Sequence, residues 1–128
     1  MSGNKWHAPY DTGWINRSDW TNVHLGSNTT LNTDSNVTHS LNAPLANLLV
    51  KLFISTDGTD ANSYEIPLTV EFLAAGNAAY GCIAFAVDNN NLLLQTGSVG
   101  ILDLNTSGVA TVIDTENYYY KVKVWYLG

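Results

Sequence analysis

The sequence SYEIPLTVEF, residues 63–72, carries the clearest fold signal in the chain. Its even-numbered positions are apolar, and the odd positions hold Glu, Pro, Thr and Ser; the apolar set is Tyr64, Ile66, Leu68, Val70 and Phe72. Because successive side chains of a β-strand point to opposite faces, this period of two predicts a strand with one buried face. Pro67 lacks an N–H for a ladder hydrogen bond, which indicates a sheet edge or a bulge.

The same period recurs at the end of the chain. In residues 118–126 the even positions are Tyr or Val, while Lys121 and Lys123 fall on the other face, which we expect to be solvated. Residues 45–55 are almost continuously apolar around Lys51. Such a run is typical of a central strand, or of a strand whose outer face meets another subunit.

Turn residues divide the rest of the chain into short strands. Residues 80–87 and 91–97 flank Asp-Asn-Asn at 88–90 and predict a hairpin. Further strands are predicted around residues 22–26, 35–41, 100–104 and 108–114, with almost no helix. About eight or nine strands at this spacing predict an all-β fold, a jelly-roll-like antiparallel β-sandwich. We assign it to residues 10–128 as one domain, after a lead-in of residues 1–9.

Composition excludes several classes of partner. The net charge is −6, with five Lys and Arg among 128 residues, so a phosphate backbone or an anionic lipid surface is an unsuitable partner. No apolar run is long enough to span a bilayer, and we expect no direct membrane insertion. The polar surface is instead supplied by 15 Asn, 13 Thr and 9 Ser. Cys82 lies in an apolar run and is predicted to be a buried, inert thiol.

The sequence contains no recognisable catalytic motif. His7, His24 and His39 stand outside any recognisable catalytic context, and there is no G-x-S-x-G elbow. We therefore expect a non-enzymatic domain with no cofactor. The segment TDGTDANS, residues 56–63, gathers oxygen ligands around a Gly, as a calcium loop does. A calcium site and an ordinary turn both account for this composition. The segment lacks the ligand spacing of an EF-hand loop, which favours the turn, so we predict no metal site.

Two groups of residues are candidates for contacts with other molecules. Aromatic faces stack on sugar rings while Asn and Asp bind hydroxyl groups, so the candidate ligand-binding residues are Trp20, Asp57, Asp60, Asn62, Asn89, Asn90 and Trp125. The alternative for any Trp in a small β domain is a place in the core or in a subunit interface. Candidate interface residues are Tyr10, Trp14, Leu49 and Phe53, since Leu49 and Phe53 share the face opposite to the core-facing positions.

The opening YDTGW, residues 10–14, has counterparts in known families. It resembles the Y-D-S-G-W opening of C-terminal β-sandwich domains of phage tail and fibre proteins, with Thr12 in place of Ser, and more loosely the S-G-W opening of H-type lectins. THSLN at residues 38–42 is similar to the T-H-x-L strand of the fibre domains. The resemblance implies a homotrimeric adhesion domain on a virion surface or outside the cell, where it binds a host cell-surface glycan or protein.

Two other functions stay open beside this one. A structural virion or capsid-decoration protein would use the same fold without a ligand. A carbohydrate-binding module of an enzyme would bind sugar as part of a larger catalytic protein. Binding to a glycan array separates the first alternative from an adhesion domain, and activity on polysaccharide separates the second.

Overall fold

The computed structural model describes residues 8–16, 23–24, 36–72, 79–97, 100–104, 106–113 and 118–127. Twelve β-strands occupy these ranges: β1 Tyr10–Asp11, β2 Ile15–Asn16, β3 Val23–His24, β4 Asn36–Thr38, β5 Leu48–Ser55, β6 Ser63–Ile66, β7 Val70–Phe72, β8 Ala79–Ala86, β9 Asn91–Thr96, β10 Ile101–Leu104, β11 Ala110–Ile113 and β12 Tyr119–Tyr126. The helical structure within them is two 3-10 turns, Leu45–Asn47 and Asp60–Asn62. Neither of these is a helix long and apolar enough to cross a membrane.

The strands form two five-stranded sheets and a two-stranded ribbon. The first sheet has the order β1–β12–β5–β6, with β2 also on β12; the second has the order β3–β9–β8–β7, with β4 also on β9. β10 and β11 make the ribbon. Apart from the parallel β3–β9 pair, all strand pairs are antiparallel. The predicted all-β sandwich is confirmed, with more strands than the eight or nine expected because several are only two residues long.

The core lies between the two sheets. The first sheet contributes Leu52, Ile54, Ile66, Tyr120, Val122 and Val124, and the second contributes Val37, Cys82, Leu92 and Leu94. All of them are at most 2% exposed. Burying one aliphatic side chain of this size contributes about 1.5–3 kcal/mol, so the inner faces of β5, β9 and β12 supply most of the packing energy. The alternating pattern of residues 118–126 placed the core face of β12 correctly.

SYEIPLTVEF forms two strands rather than the single strand that we predicted. β6 belongs to the first sheet and β7 to the second, and Pro67–Thr69 carries the chain between them. Pro67 cannot donate a ladder bond, and its carbonyl accepts a 3.0 Å hydrogen bond from the N–H of Thr69. After the crossing the even-numbered apolar positions no longer all face the core: Ile66 on β6 is buried, whereas Val70 on β7 is 52% exposed.

Candidate functional site

The outer face of the first sheet gathers charged and aromatic side chains. Along the β5–β12 pair, Lys121 lies opposite Phe53, Lys123 opposite Lys51, and Trp125 opposite Leu49. The odd-numbered residues of β12 therefore share one surface with the odd-numbered residues of β5, away from the core. This surface holds all three lysines in the described ranges.

At its centre Trp14, Asp60 and Lys121 make one contact group, which we call the Trp14 cluster. The indole Nε1 of Trp14 donates a 2.8 Å hydrogen bond to Oδ1 of Asp60. Lys121 Nζ lies 2.7 Å from the same oxygen and 4.6 Å from the centre of the Trp14 ring. These bonds, that from Lys121 first, hold the pKa of Asp60 below its ordinary value. At neutral pH the cluster thus presents a carboxylate fixed in position beside an aromatic face.

YDTGW is the segment that brings Trp14 to this place. Thr12 is bound to β12 in both directions, because its N–H donates to the Val122 carbonyl at 3.1 Å and its Oγ1 accepts from the Val122 N–H at 2.9 Å. Asp11 Oδ1 accepts the Gly13 N–H at 2.8 Å, and Gly13 turns the chain at φ +71°. That positive φ suits glycine, which has no Cβ to clash. Each of these polar residues therefore docks or bends the segment so that Trp14 covers Lys121.

The loop after β5 presents Asp60. Within it the Asp57 carboxylate accepts bonds from Thr59, N–H at 3.1 Å and Oγ1 at 2.7 Å, and from Asn62 Nδ2 at 2.5 Å. These internal bonds lower the pKa of Asp57. Buried Ser55 adds to them, since its Oγ accepts the Gly58 N–H at 3.0 Å. The carboxylate oxygens of Asp57 thus accept hydrogen bonds that stabilise the turn. The described ranges contain no group of three or more His, Cys, Asp or Glu placed to hold a metal ion.

A shallow depression adjoins the Trp14 cluster. Its volume is about 110 Å³, and its lining consists of Phe53, Asp60, Ser63, Lys121 and Lys123. Lys123 Nζ is 3.8 Å from Asp11 Oδ2 and 6.0 Å from the centre of the Phe53 ring. The depression therefore offers one carboxylate, two ammonium groups, a hydroxyl and an aromatic wall within a small area.

The remaining candidate ligand-binding residues lie elsewhere. Trp125 is on the same face, four residues from Lys121 along β12 or about 13 Å at 3.3 Å per residue. Asn89 and Asn90 bind the segment that leads into the Leu48 end of β5: the Asn89 carbonyl accepts the Ala43 N–H at 2.8 Å, and Asn90 Oδ1 accepts the Asn42 N–H at 2.8 Å. They therefore lie at the opposite end of β5 from Asp60. Trp20 lies outside the described residues.

The four candidate interface residues have different surroundings. Tyr10 is half-buried and packs against the core, and Trp14 belongs to the Trp14 cluster. Leu49 is 41% exposed on the outer face, and Phe53 is half-buried beside Lys123.

Sequence reasoning missed the two lysines of the site. We expected a solvated Lys face on β12, but Lys121 is 7% exposed because Trp14 and Asp60 cover it. The strand alternation predicts which face Lys121 occupies, because its neighbours Tyr120 and Val122 both face the core. Only the fold shows that residue 14 lies above it.

No protein-family model matches the chain, and neither a curated protein nor a solved structure matches it. The resemblance of YDTGW to fibre domains therefore stays a prediction.

Proposed function

We propose that this protein is a non-enzymatic domain that binds carbohydrate through the Trp14 cluster and the depression beside it. The observation that carries the proposal is the exposed Asp60 carboxylate, held in one orientation by Trp14 and Lys121 next to an aromatic face. A sugar ring has an apolar C–H face and a hydroxyl edge, and an aromatic ring beside a carboxylate is complementary to both.

The cluster is ordered before a ligand arrives. Asp60 Oδ1 accepts both of its bonds, from Trp14 and Lys121, and no donor among the described residues reaches Oδ2. This second oxygen is therefore available to a ligand hydroxyl. Because the carboxylate is already fixed by residues of two strand-bound segments, binding freezes few additional rotamers. Lys123 lies 3.8 Å from the Asp11 carboxylate, and its ammonium group adds a hydrogen-bond donor for the ligand beside this acceptor.

The depression also favours binding over catalysis. Of the described residues that line it, Asp60 is the one carboxylate, whereas glycoside hydrolysis generally uses a pair. The lowered pKa of Asp60 keeps this group ionised at neutral pH, so it accepts hydrogen bonds and does not act as a general acid. These features support a lectin-like site.

The biological setting that we propose is the virion surface, where a homotrimer at the tip of a viral or phage fibre binds a host cell-surface glycan. Leu49 supports assembly, because a leucine that is 41% exposed on the same face as the site is suited to cover by a neighbouring subunit. A structural virion domain without a ligand remains the second candidate.

A glycan array tests the binding proposal directly. We expect wild-type protein to bind at least one class of glycan, and the Trp14→Ala variant to lose roughly tenfold or more of that binding. Trp125→Ala is the matched control, since it removes a half-buried Trp from the same face outside the depression. Absence of binding by wild-type protein would favour the structural domain, and full binding by Trp14→Ala would refute the Trp14 cluster as the site.

A further inference from the structure

A second and larger concavity lies between β6 and β10. Its volume is about 360 Å³. Tyr64 and Ile66 form part of one wall, and Leu102, Asp103 and Leu104 form part of the other. The hydroxyl of Tyr64 donates a 2.8 Å hydrogen bond to Asp103 Oδ2 and so links the two strands. We call this concavity the Asp103 cleft.

The Asp103 cleft is separate from the Trp14 cluster. Tyr64 pairs with the core residue Ile54, so its side chain lies on the inner side of the first sheet. The Trp14 cluster occupies the outer side of that sheet, with Lys121 opposite Phe53. The proposed carbohydrate site and the Asp103 cleft can therefore be altered independently.

The walls of the cleft are largely apolar. Ile66 is buried, Leu102 is half-buried, and Leu104 is 63% exposed at the rim. Such a lining suits an aliphatic group, because hydrocarbon transferred from water onto these side chains is stabilised in proportion to the area it buries. An entirely apolar ligand would nevertheless leave the Asp103 carboxylate at a partly desolvated position.

Asp103 has no cation of its own in the part of the chain that the structure describes. Each lysine there is paired with a different carboxylate: Lys51 with Glu65 at 3.2 Å, Lys121 with Asp60 at 2.7 Å and Lys123 with Asp11 at 3.8 Å. The partner that Asp103 does have is the hydroxyl of Tyr64, which stays protonated because burial and this hydrogen bond raise its pKa. A half-buried carboxylate in an apolar cleft thus lacks a positive partner.

From this arrangement we infer that the Asp103 cleft binds a cation carried on an aliphatic stem, such as a guanidinium or ammonium group. The cation pairs with Asp103, and the stem lies against Leu102 and Leu104. A charge-assisted hydrogen bond to a carboxylate is stronger than one between neutral groups, particularly where the walls exclude water. A small amine or guanidine supplies this chemistry, and so does an Arg or Lys side chain of a polypeptide.

The test is a two-dimensional amide NMR titration of the wild-type protein with n-butylguanidine, with the neutral near-isostere n-butylurea as the control probe. At about 10 mM, above the millimolar Kd expected of one ion pair with a short stem, n-butylguanidine should shift the β6 and β10 amides saturably. The urea should leave them in place. Equal binding of n-butylurea, or no shift of these amides, would overturn the proposal.

Variants then identify the group that binds the cation. Asp103→Asn keeps an acceptor for the Tyr64 hydroxyl but removes the charge, and should weaken n-butylguanidine binding roughly tenfold or more. Glu71→Gln, an exposed acid-to-amide change on β7, should leave the Kd unchanged. If Asp103→Asn loses the dispersed spectrum of a folded protein, the Tyr64→Phe variant is used in its place. Tyr64→Phe should weaken n-butylguanidine binding, because Asp103 then loses the hydrogen bond that orients its carboxylate. Unchanged affinity in the folded variant would contradict the assignment.

A peptide pair distinguishes the two sources of the cation. Acetyl-Ala-Arg-Ala-amide is compared with the same peptide containing citrulline, its neutral counterpart. Tighter binding of the arginine peptide than of n-butylguanidine indicates a polypeptide partner, and equal affinity indicates a small cation; both outcomes support the cation site. Binding of the citrulline peptide as tightly as the arginine peptide would refute it.

Discussion

Lys121 is almost completely buried, yet the carboxylate that neutralises it is exposed. Its side chain is 8% accessible, while that of Asp60, 2.7 Å away, is 79% accessible. Lys121 therefore lies under the Trp14 ring with its charge directed to an anion in contact with solvent. In the described ranges Asp60 is the only carboxylate that pairs with Lys121. A ligand that binds Asp60 from the solvent side therefore contacts the counter-ion of a buried lysine.

Asp60→Asn should lower the melting temperature at pH 7, because it removes the carboxylate that pairs with the nearly buried ammonium group of Lys121. Hydrogen bonds from Lys121 and Trp14 hold the folded-state pKa of Asp60 below 3.8, its ordinary value. The stability from this contact is therefore complete above the unfolded-state pKa and is lost as pH falls through the lower folded-state pKa.

The check is the difference in melting temperature between wild type and Asp60→Asn, followed from pH 7 down to about pH 2. We expect the difference to shrink below the ordinary pKa, while Glu71→Gln, exposed on β7, serves as the control. A difference that stays constant over the whole range would show that Asp60 contributes nothing through its charge.

Gly58 and Gly108 form a matched pair for the Asp60 loop. Their φ angles are +79° and +78°, so an Ala at either position costs about 1–2 kcal/mol of backbone strain. A Cβ on Gly58 would also lie 3.1 Å from the Tyr119 ring, whereas one on Gly108 meets nothing within 4 Å. Urea denaturation should show Gly58→Ala to be less stable than Gly108→Ala by about 1 kcal/mol. Equal losses would mean that Tyr119 does not pack on this loop.

Leu49 tests the proposed homotrimer. Sedimentation equilibrium of the wild-type protein should give three times the chain mass of 13.9 kDa, and Leu49→Glu should shift the mass toward a single chain. Leu104→Glu is the control, since Leu104 is 63% exposed on β10, outside the first sheet. A wild-type protein that stays at 13.9 kDa at micromolar concentration would contradict the trimer.

Cys82 should be inert in the folded protein. Its side chain is completely buried, and burial raises the pKa of the thiol to about 12, so the reactive thiolate is scarce near neutral pH. Ellman's reagent at about pH 8 should therefore react slowly with native protein and at once in concentrated urea. Rapid reaction of the native protein would place the thiol outside the core.

The strand faces could be predicted because they depend on local periodicity. The alternation in residues 118–126 correctly gave Val122 and Val124 to the core, and the face of Leu49 and Phe53 followed in the same way from residues 45–55. The break in SYEIPLTVEF could not be read from periodicity. Apolar residues alternate on both sides of Pro67, and the pattern does not say which sheet receives each half.

The site was only partly predictable, because it joins residues that are distant in sequence. Asp60 stood out as an acidic residue in a turn, and Trp14 as an aromatic residue in YDTGW, but 46 positions separate them. Lys121 is 61 positions beyond Asp60. Their contact arises from two long-range events, the docking of Thr12 on β12 and the pairing of β5 with β12. Neither leaves a signal in local spacing.

The most direct test of carbohydrate recognition at the Trp14 cluster is fluorine NMR of protein labelled with fluorotryptophan. The chain has four tryptophans, and the Trp14→Phe and Trp125→Phe variants assign their two resonances. Titration with the glycans that score highest on the array should move the Trp14 resonance saturably and leave that of Trp125 in place. If glycan binding reaches saturation while the Trp14 resonance does not move, or if no array glycan shifts any resonance, the Trp14 cluster is not a carbohydrate site.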